Sequence, residues 1–414
     1  MADLTAMGKK AKAAARALAA AGPLKDKALI TAAEELERSQ KEILAANEED
    51  LAAARENGMS APLLDRLALS EARVKGMADG LRGVASQKDP IGEVVSGFVR
   101  PNGLRIEKVR VPLGVIGIIY EARPNVTADA AAICLKAGSA VILRGGKEAF
   151  RTNAAVESVL RSALEKTGLP ADCVQLVRDT THESAQEMMR LTGYLDVLIP
   201  RGGRNLIRSV VENARVPVIE TGWGNCHIYV DDSADVNIAA DIVFNAKTSR
   251  PSVCNAAESL LVHKDIAEKA LPVIKARLDE KNVELRGCER TRAILGGSVV
   301  PATDEDYGTE YLDYIMSVKV VDNIDEAITH IAQYSSGHSE AIVTKSYENA
   351  RKFTSQVDSA AVYVNASTRF TDGSEFGLGA EIGISTQKLH ARGPMGAAEL
   401  TTTKFIVTGS GQIR

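Results

Sequence analysis

Val111-Pro-Leu-Gly-Val-Ile-Gly-Ile-Ile-Tyr120 is the stretch that decides the fold. It reads as an apolar strand, and a helical pattern follows it through Leu135-Lys-Ala-Gly138. Ala140-Val-Ile-Leu-Arg144 is the next strand, and Gly145-Gly146-Lys147 turns into another helix. Residues 174–177, 197–200 and 216–219 read as further short strands, and Arg201-Gly-Gly-Arg-Asn205 opens a helix after the second of them. Strands alternating with helices in this way imply βαβ units, a parallel sheet and helices on both faces. Ligands of such sheets bind at the carboxyl ends of the strands. Both glycine-rich turns lie at such ends, where backbone N–H groups and the helix dipole favour an anion. Neither matches G-x-G-x-x-G or G-x-x-x-x-G-K-[ST], and a tight turn that simply needs glycine explains each as well.

On the amino-terminal side, Glu93-Val-Val-Ser-Gly-Phe-Val-Arg100, Pro-Asn-Gly and Leu-Arg-Ile-Glu-Lys-Val-Arg110 form two alternating strands around a turn, a hairpin. Residues 1–90 read as helices, with apolar positions at Leu29, Ile30, Ala33, Leu36, Ile43, Leu44 and Leu51, punctuated by Gly22-Pro23 and Asn57-Gly58.

On the carboxyl-terminal side, residues 230 to about 395 form a second αβ region. Its centre is Asn245-Ala-Lys-Thr-Ser-Arg-Pro-Ser-Val-Cys254-Asn-Ala-Ala-Glu-Ser259. Helical spacing begins near Ala234 (Val236, Ala239, Ala240, Val243), with Asp232 or Ser233 as the expected cap. Pro251 stops that helix, and residues 259–262 read as a buried strand. Cys254 therefore sits on a break between helix and strand, with Lys247 and Arg250 nearby in sequence. Cations lower a thiol's pKa, and the thiolate is the nucleophile. The plainer alternative is a small buried hydrophobe, as most free cysteines are. The end of the chain, Glu399-Leu-Thr-Thr-Thr-Lys-Phe-Ile-Val-Thr408, is a strand with an exposed alternating pattern that, with the hairpin, is suited to pairing with another subunit.

The 414 residues leave room for two or three domains. Charged residues make up 25% and hydrophobic ones 45%, ordinary for a soluble globular chain. A formal charge of −4 gives no basic footprint for nucleic acid, and no apolar run is long enough to span a bilayer. The five cysteines are scattered, with no C-x-x-C and no Cys/His metal-ligand pattern, so free thiols in a reducing cytoplasm are expected. Lys9, Lys10, Lys12 and Arg16 interrupt any signal-peptide apolar core at the amino terminus.

In this order, these pieces resemble the aldehyde dehydrogenase superfamily and, within it, the gamma-glutamyl phosphate reductase family. The narrower resemblance rests on Val321-Asp-Asn-Ile-Asp-Glu-Ala-Ile-Thr-His330-Ile-Ala-Gln-Tyr-Ser-Ser-Gly-His338-Ser-Glu-Ala-Ile342. Val115-Ile-Gly-Ile-Ile-Tyr-Glu-Ala-Arg-Pro-Asn-Val126 and Ser249-Arg-Pro-Ser-Val-Cys254 also look like family stretches. The resemblance implies an α/β fold of aldehyde-dehydrogenase type in three parts: a Rossmann-type cofactor domain (1–92 and 111–222), a catalytic domain (223–395) and a β oligomerisation arm (93–110 and 396–414).

The reaction implied is NADPH-dependent reduction of L-glutamate 5-phosphate to L-glutamate 5-semialdehyde and phosphate, the second step of proline biosynthesis. Cys254 would be the nucleophile, forming a thioester, with its own backbone N–H and Asn125 as oxyanion donors. Arg144, Gly145, Gly146 and Lys147 match the adenosine-ribose position. Cations there suit a 2′-phosphate, whereas NAD-preferring relatives tend to place an acid. Gly202 and Gly203 fall where relatives receive the pyrophosphate, though the turn departs from their Gly-Ser-Thr pattern. Glu310 and Leu312 fall where they hold the nicotinamide ribose and ring. Lys247, Arg250, Arg369 and His338 are the candidates for substrate anions; Arg369 lies in Asn365-Ala-Ser-Thr-Arg-Phe-Thr-Asp-Gly-Ser374, which resembles the substrate-side loop. Glu220, in Val218-Ile-Glu-Thr-Gly-Trp-Gly, matches the general base that activates water in oxidising relatives. It keeps open a second reading, an NAD(P)-dependent aldehyde dehydrogenase that oxidises a small aldehyde to the acid. A homo-oligomer (dimer or tetramer) and a transient complex with glutamate 5-kinase complete the expectation. A non-catalytic binding protein would have no need of Cys254 in this setting.

Overall fold

The computed structural model describes residues 3–121 and 123–414; Ala122, in the turn quoted above, lies outside them. Two units divide the chain. Unit 1 is Met1–Thr221, Gly377–Gly383 and Met395–Arg414, and unit 2 is Gly222–Phe376 and Ile384–Pro394. The hairpin and the terminal strand thus fall within unit 1, and so does the 377–383 segment expected in the second region.

In unit 1 the hairpin strands β1 (Val94–Val99) and β2 (Arg105–Pro112) precede β3 (Val115–Tyr120), all six of whose residues are buried. β4 (Ala140–Gly145), β5 (Val174–Leu176) and β6 (Val197–Arg201) join β3 in a parallel sheet of order β5-β4-β3-β6. A strand wrapped by neighbours on both sides and helices on both faces has no wet face, which is why its sequence does not alternate. The amino-terminal helices are joined to the helix Asn125–Lys136 by two buried lysines. Lys136 pairs with Asp26 at 2.6 Å and donates to the Ala85 carbonyl; Lys25 pairs with Asp89 at 2.8 Å and donates to the Lys136 carbonyl. Buried ammonium groups require such partners.

The run at 216–219 is not a strand. It makes one bridge, Leu198↔Val218, because Pro217 has no N–H to continue a ladder.

Unit 2 is built on a seven-stranded parallel sheet. Its strands are β7 (Cys226–Val230), β8 (Ala257–His263), β9 (Glu284–Gly287), β10 (Val300–Pro301), β11 (Ile315–Val321), β12 (Ser339–Val343) and β13 (Ala361–Val364). They lie in the order β10-β9-β11-β8-β7-β12-β13. A two-stranded antiparallel pair, β14 (Ile384–Ser385) and β15 (Gly393–Pro394), follows. Back in unit 1, β16 (Thr401–Thr408) pairs antiparallel with β2, giving a three-stranded sheet β1-β2-β16. Every residue of β1 is exposed, and Val99, Phe98, Phe405 and Val407 are each more than half exposed.

Candidate active site

Cys254 owes its position to the end of one helix and the start of one strand. The helix Val236–Thr248 begins at Asp235, whose carboxylate accepts from the N–H groups of Asn237 and Ile238. Neither Asp232 nor Ser233 caps it, since the Ser233 hydroxyl bonds Asp231 instead. The helix stops before Pro251, and residues 251–256 are turns and bends leading into β8. Cys254 is half-buried there.

The turn is tied down by groups distant in sequence. Asn255 donates its amide to the carbonyls of Arg369 and Thr371, and the Thr368 hydroxyl donates to the Asn255 carbonyl at 2.7 Å. The Cys226 thiol, at the start of β7, donates to the Cys254 carbonyl at 3.2 Å. Gly224 lies against the same carbonyl: a Cβ there would overlap it, so only glycine fits.

Arg369 is half-buried, donates from Nε to the Ser249 hydroxyl at 3.0 Å and bonds Asn255 Oδ1. Burial lowers its pKa; the charges of Asp372 and Cys254 oppose that, and Arg250 adds to it. Arg369 thus feels both the Cys254 thiol, which favours its charge, and the exposed Arg250, which opposes it; of the two cations expected beside the thiol from sequence, Arg250 and Lys247, Arg250 is exposed and Lys247 turns inward.

Two other expected substrate ligands are placed elsewhere. Lys247 is fully buried, and its ammonium pairs with Glu258 at 2.5 Å. Its charge is spent inside the unit, so it is neither a substrate ligand nor a free cation beside the thiol. Burial pushes Lys247 down and Glu258 up, the latter to about 7. His338 is also fully buried, with Nδ1 against the Ser339 hydroxyl at 2.8 Å, and burial takes its pKa from 6.5 to about 4. It is a neutral core imidazole at neutral pH.

Glu310 is half-buried and accepts from the Gly224 N–H at 2.8 Å. Two residues on, Leu312 is 38% exposed with φ of 57°, and its N–H donates to Glu258 Oε1 at 3.3 Å.

Unit 1 carries the other expected residues at strand ends. Asn125 is exposed at the start of its helix, and its amide donates to Asp129 Oδ2 at 2.9 Å. Burial raises Asp129 to about 6, with the Asn125 bond and Arg201 opposing. Arg144, 9% exposed, donates through Nη2 to the carbonyls of Thr180 and Thr181 at 2.8 and 2.7 Å, while its buried Nε is without a partner. Gly145 is packed against Tyr120 and Asn153, Gly146 is extended, and Lys147 is exposed. At the second turn the Gly203 N–H donates to Glu121 Oε2 at 2.8 Å, and a Cβ on Gly202 would meet the same oxygen at 2.6 Å. A carboxylate thus occupies the anion position at the head of the helix Arg204–Asn213. Glu220 is half-buried near the end of the unit.

The profile of the aldehyde dehydrogenase family matches residues 2–306 and 298–405. Gamma-glutamyl phosphate reductase of Heliobacterium modesticaldum is 60% identical over 413 residues, covering 100% of this chain and 99% of that protein. The chain belongs to the aldehyde dehydrogenase family, among its gamma-glutamyl phosphate reductases. The reductase of Clostridium perfringens is 61% identical over the same length. The crystal structure of the Thermotoga maritima reductase superposes with a TM-score of 0.96 at 53% identity, each chain covered in full. An acetylating aldehyde dehydrogenase from Geobacillus thermoglucosidasius, at 18% identity and a TM-score of 0.71, shares the fold.

Sequence reasoning missed Glu121, Gly224, Cys226 and Glu258. Glu258 was legible in principle: a charged residue beside the apolar run Leu260-Leu-Val262 requires a buried partner.

Proposed function

We propose that the protein reduces L-glutamate 5-phosphate to L-glutamate 5-semialdehyde and phosphate, with Cys254 as the nucleophile and NADPH as the cofactor. The supporting observation is the setting of Cys254: a half-buried thiol on a pinned, non-helical turn, in electrostatic contact with Arg369.

The Cys254 thiolate attacks the acyl carbon, the carbon–oxygen bond to phosphate breaks, and phosphate leaves with the electron pair. A thioester remains. Bound NADPH supplies the hydride that the thioester carbon takes up. Collapse of the resulting tetrahedral centre releases the aldehyde and returns the thiolate. Covalent catalysis splits one hard substitution into two easier steps, and sulfur serves first as nucleophile and then as leaving group. The Cys254 backbone N–H is assigned to the developing oxyanion, with Asn125 as a second donor only on leaving Asp129. Arg250 and Arg369 are assigned to the substrate's anionic groups, because guanidinium forks match phosphate and carboxylate. Glu220 is assigned to proton handling; water activation there would waste the thioester.

The cofactor assignment rests on the donors present. Lys147 is exposed and Arg144 Nε is buried without a partner at the end of β4, a donor set that suits an anion beside the adenosine ribose. The Gly202–Gly203 turn already holds a carboxylate, so its donors suit a phosphate once Glu121 withdraws. Glu310 and Leu312 are assigned to the nicotinamide ribose and ring. No helix among the described residues is long and apolar enough to cross a membrane. We place the protein in the cytoplasm, with the apolar β1-β2-β16 sheet covered by a second copy in a homo-oligomer. Transient contact with the kinase that makes the labile acyl phosphate is part of the proposal.

Mass spectrometry tests the covalent step. Protein mixed with L-glutamate 5-phosphate in the absence of NADPH is expected to carry a glutamyl adduct on Cys254, discharged by NADPH and absent in Cys254→Ala. An adduct that survives NADPH, or one on another residue, would overturn the assignment.

A further inference from the structure

We propose that the buried Lys247–Glu258 pair is a positioning device for the cofactor: it holds the 310–312 turn so that the hydride donor is registered against the Cys254 thioester. The inference rests on the assignment of Glu310 and Leu312 given above.

A chain of contacts within unit 2 links the pair to the 310–312 turn. Lys247 ends the helix that leads to the Cys254 turn, and Glu258 lies on the strand that leads away from it. Both side chains are fully buried, and Lys247 Nζ lies 2.5 Å from Glu258 Oε2. That leaves the other carboxylate oxygen, Oε1, for the Leu312 N–H at 3.3 Å. Leu312 needs holding. Its φ of 57° is a left-handed conformation that a branched, non-glycine residue adopts only when its surroundings enforce it. The Ser317 hydroxyl donates to the Glu258 carbonyl at 3.3 Å, which anchors the donor strand to β11. On the far side of the turn, Glu310 accepts from the Gly224 N–H, and Gly224 packs against the Cys254 carbonyl. The same short path therefore touches the cofactor turn at both ends and the nucleophile's own peptide.

A fully buried ion pair is weak evidence of a gain in stability, since desolvation opposes the Coulomb attraction. Two apolar residues of similar volume would fill the site without that cost. What apolar residues lack is an acceptor for the Leu312 N–H, and only a charged or polar side chain locked by a partner offers one there. Glu258 touches neither substrate nor cofactor in this arrangement; it acts through Leu312.

The test compares two double variants that leave no unpaired charge. Lys247→Met with Glu258→Gln keeps an acceptor for Leu312, and Lys247→Met with Glu258→Leu removes it. NADPH affinity is read by fluorescence titration, turnover by steady-state kinetics, and Cys254 reactivity by its alkylation rate with iodoacetamide. The Gln variant is expected to bind NADPH within about threefold of the parent. The Leu variant is expected to bind about tenfold or more weaker, as loss of an acceptor for a buried N–H implies. It should also lose kcat, while its alkylation rate matches that of the Gln variant. Equal NADPH affinity and kcat in the two variants would overturn the proposal, as would parallel losses in binding and alkylation, the mark of a merely structural pair. If either double variant fails to fold, Lys247→Arg in the parent takes its place: it keeps the pair and should retain affinity and kcat, and loss of both in a folded protein would overturn the inference. A parent protein that binds no NADPH would overturn the cofactor assignment itself, and this inference with it.

Discussion

The turn that carries Cys254 and the glycine turns of unit 1 are both breaks between strand and helix, yet they are held in opposite ways. Around Cys254 the groups that hold the turn are buried: Cys226, Asn255, Thr368, and the Lys247–Glu258 pair on the flanking helix and strand. In unit 1, Lys147 is exposed and the Gly203 N–H is met by an exposed carboxylate, Glu121. The difference matches the two tasks. A nucleophile must stay within a fraction of an ångström of its attack geometry, whereas a turn that admits and releases a cofactor works through contacts that exchange easily.

The largest contrast should appear between two lysines a hundred residues apart. Lys247→Met leaves Glu258 buried without its counter-charge and is expected to cost about 3–5 kcal/mol, read from denaturant unfolding. Lys147→Met, at an exposed position, is expected to stay within about 0.5 kcal/mol. Equal effects would break the comparison.

Acid should weaken unit 2 through its buried histidines. Burial lowers His338 from 6.5 to about 4; burial, then His227 and Lys319, lower His330 to about 3. A depressed histidine pKa means the unfolded chain takes up the proton first. The stability is therefore complete above about pH 6.5 and falls as pH drops toward 4. Each group contributes a slope of up to about 1.4 kcal/mol per pH unit. His338→Gln is expected to flatten the unfolding midpoint's dependence between pH 6.5 and 4.5; an unchanged slope would contradict the burial argument.

Smaller effects should come from the cofactor turns. Lys147→Glu is expected to raise the KM for NADPH about tenfold relative to that for NADH, the scale of one charge-assisted contact. Cys254 alkylation should be unaffected. The smallest expected change is in Glu121→Gln. Removing the carboxylate from the Gly203 N–H should tighten NADPH binding two- to fivefold, roughly the value of one charge at a helix terminus. Weaker binding would mean that Glu121 supports the turn and does not compete for it.

The parallel sheets were legible because β3, β4 and β8 are short apolar runs between clear turn and helix signals. The run at 216–219 misled for a local reason, Pro217 in the middle of an apolar triplet. The cap was misplaced by two or three residues because Asp231, Asp232, Ser233 and Asp235 all suit the role, and tertiary partners choose among them. Cys254, Arg250 and Arg369 could be nominated from motif and chemistry. Lys247 and His338 could not be judged, because a sequence does not say which side of a chain turns inward. Glu258 settles the one, and full burial against the Ser339 hydroxyl the other. The carboxylate of Glu121 at the Gly203 turn depends on two segments 82 residues apart meeting at adjacent strand ends, a contact that only the β3–β6 pairing creates.

The most direct measurement is the reverse reaction. Protein is given glutamate 5-semialdehyde and NADP⁺ with and without inorganic phosphate, and NADPH formation is followed by absorbance, with Cys254→Ala as control. NADPH is expected to form only when phosphate is present and only when Cys254 is intact, because phosphate is the group that takes the acyl from sulfur. NADPH forming equally well without phosphate would make water the acceptor and Glu220 a working base, and would contradict the acyl-phosphate reductase.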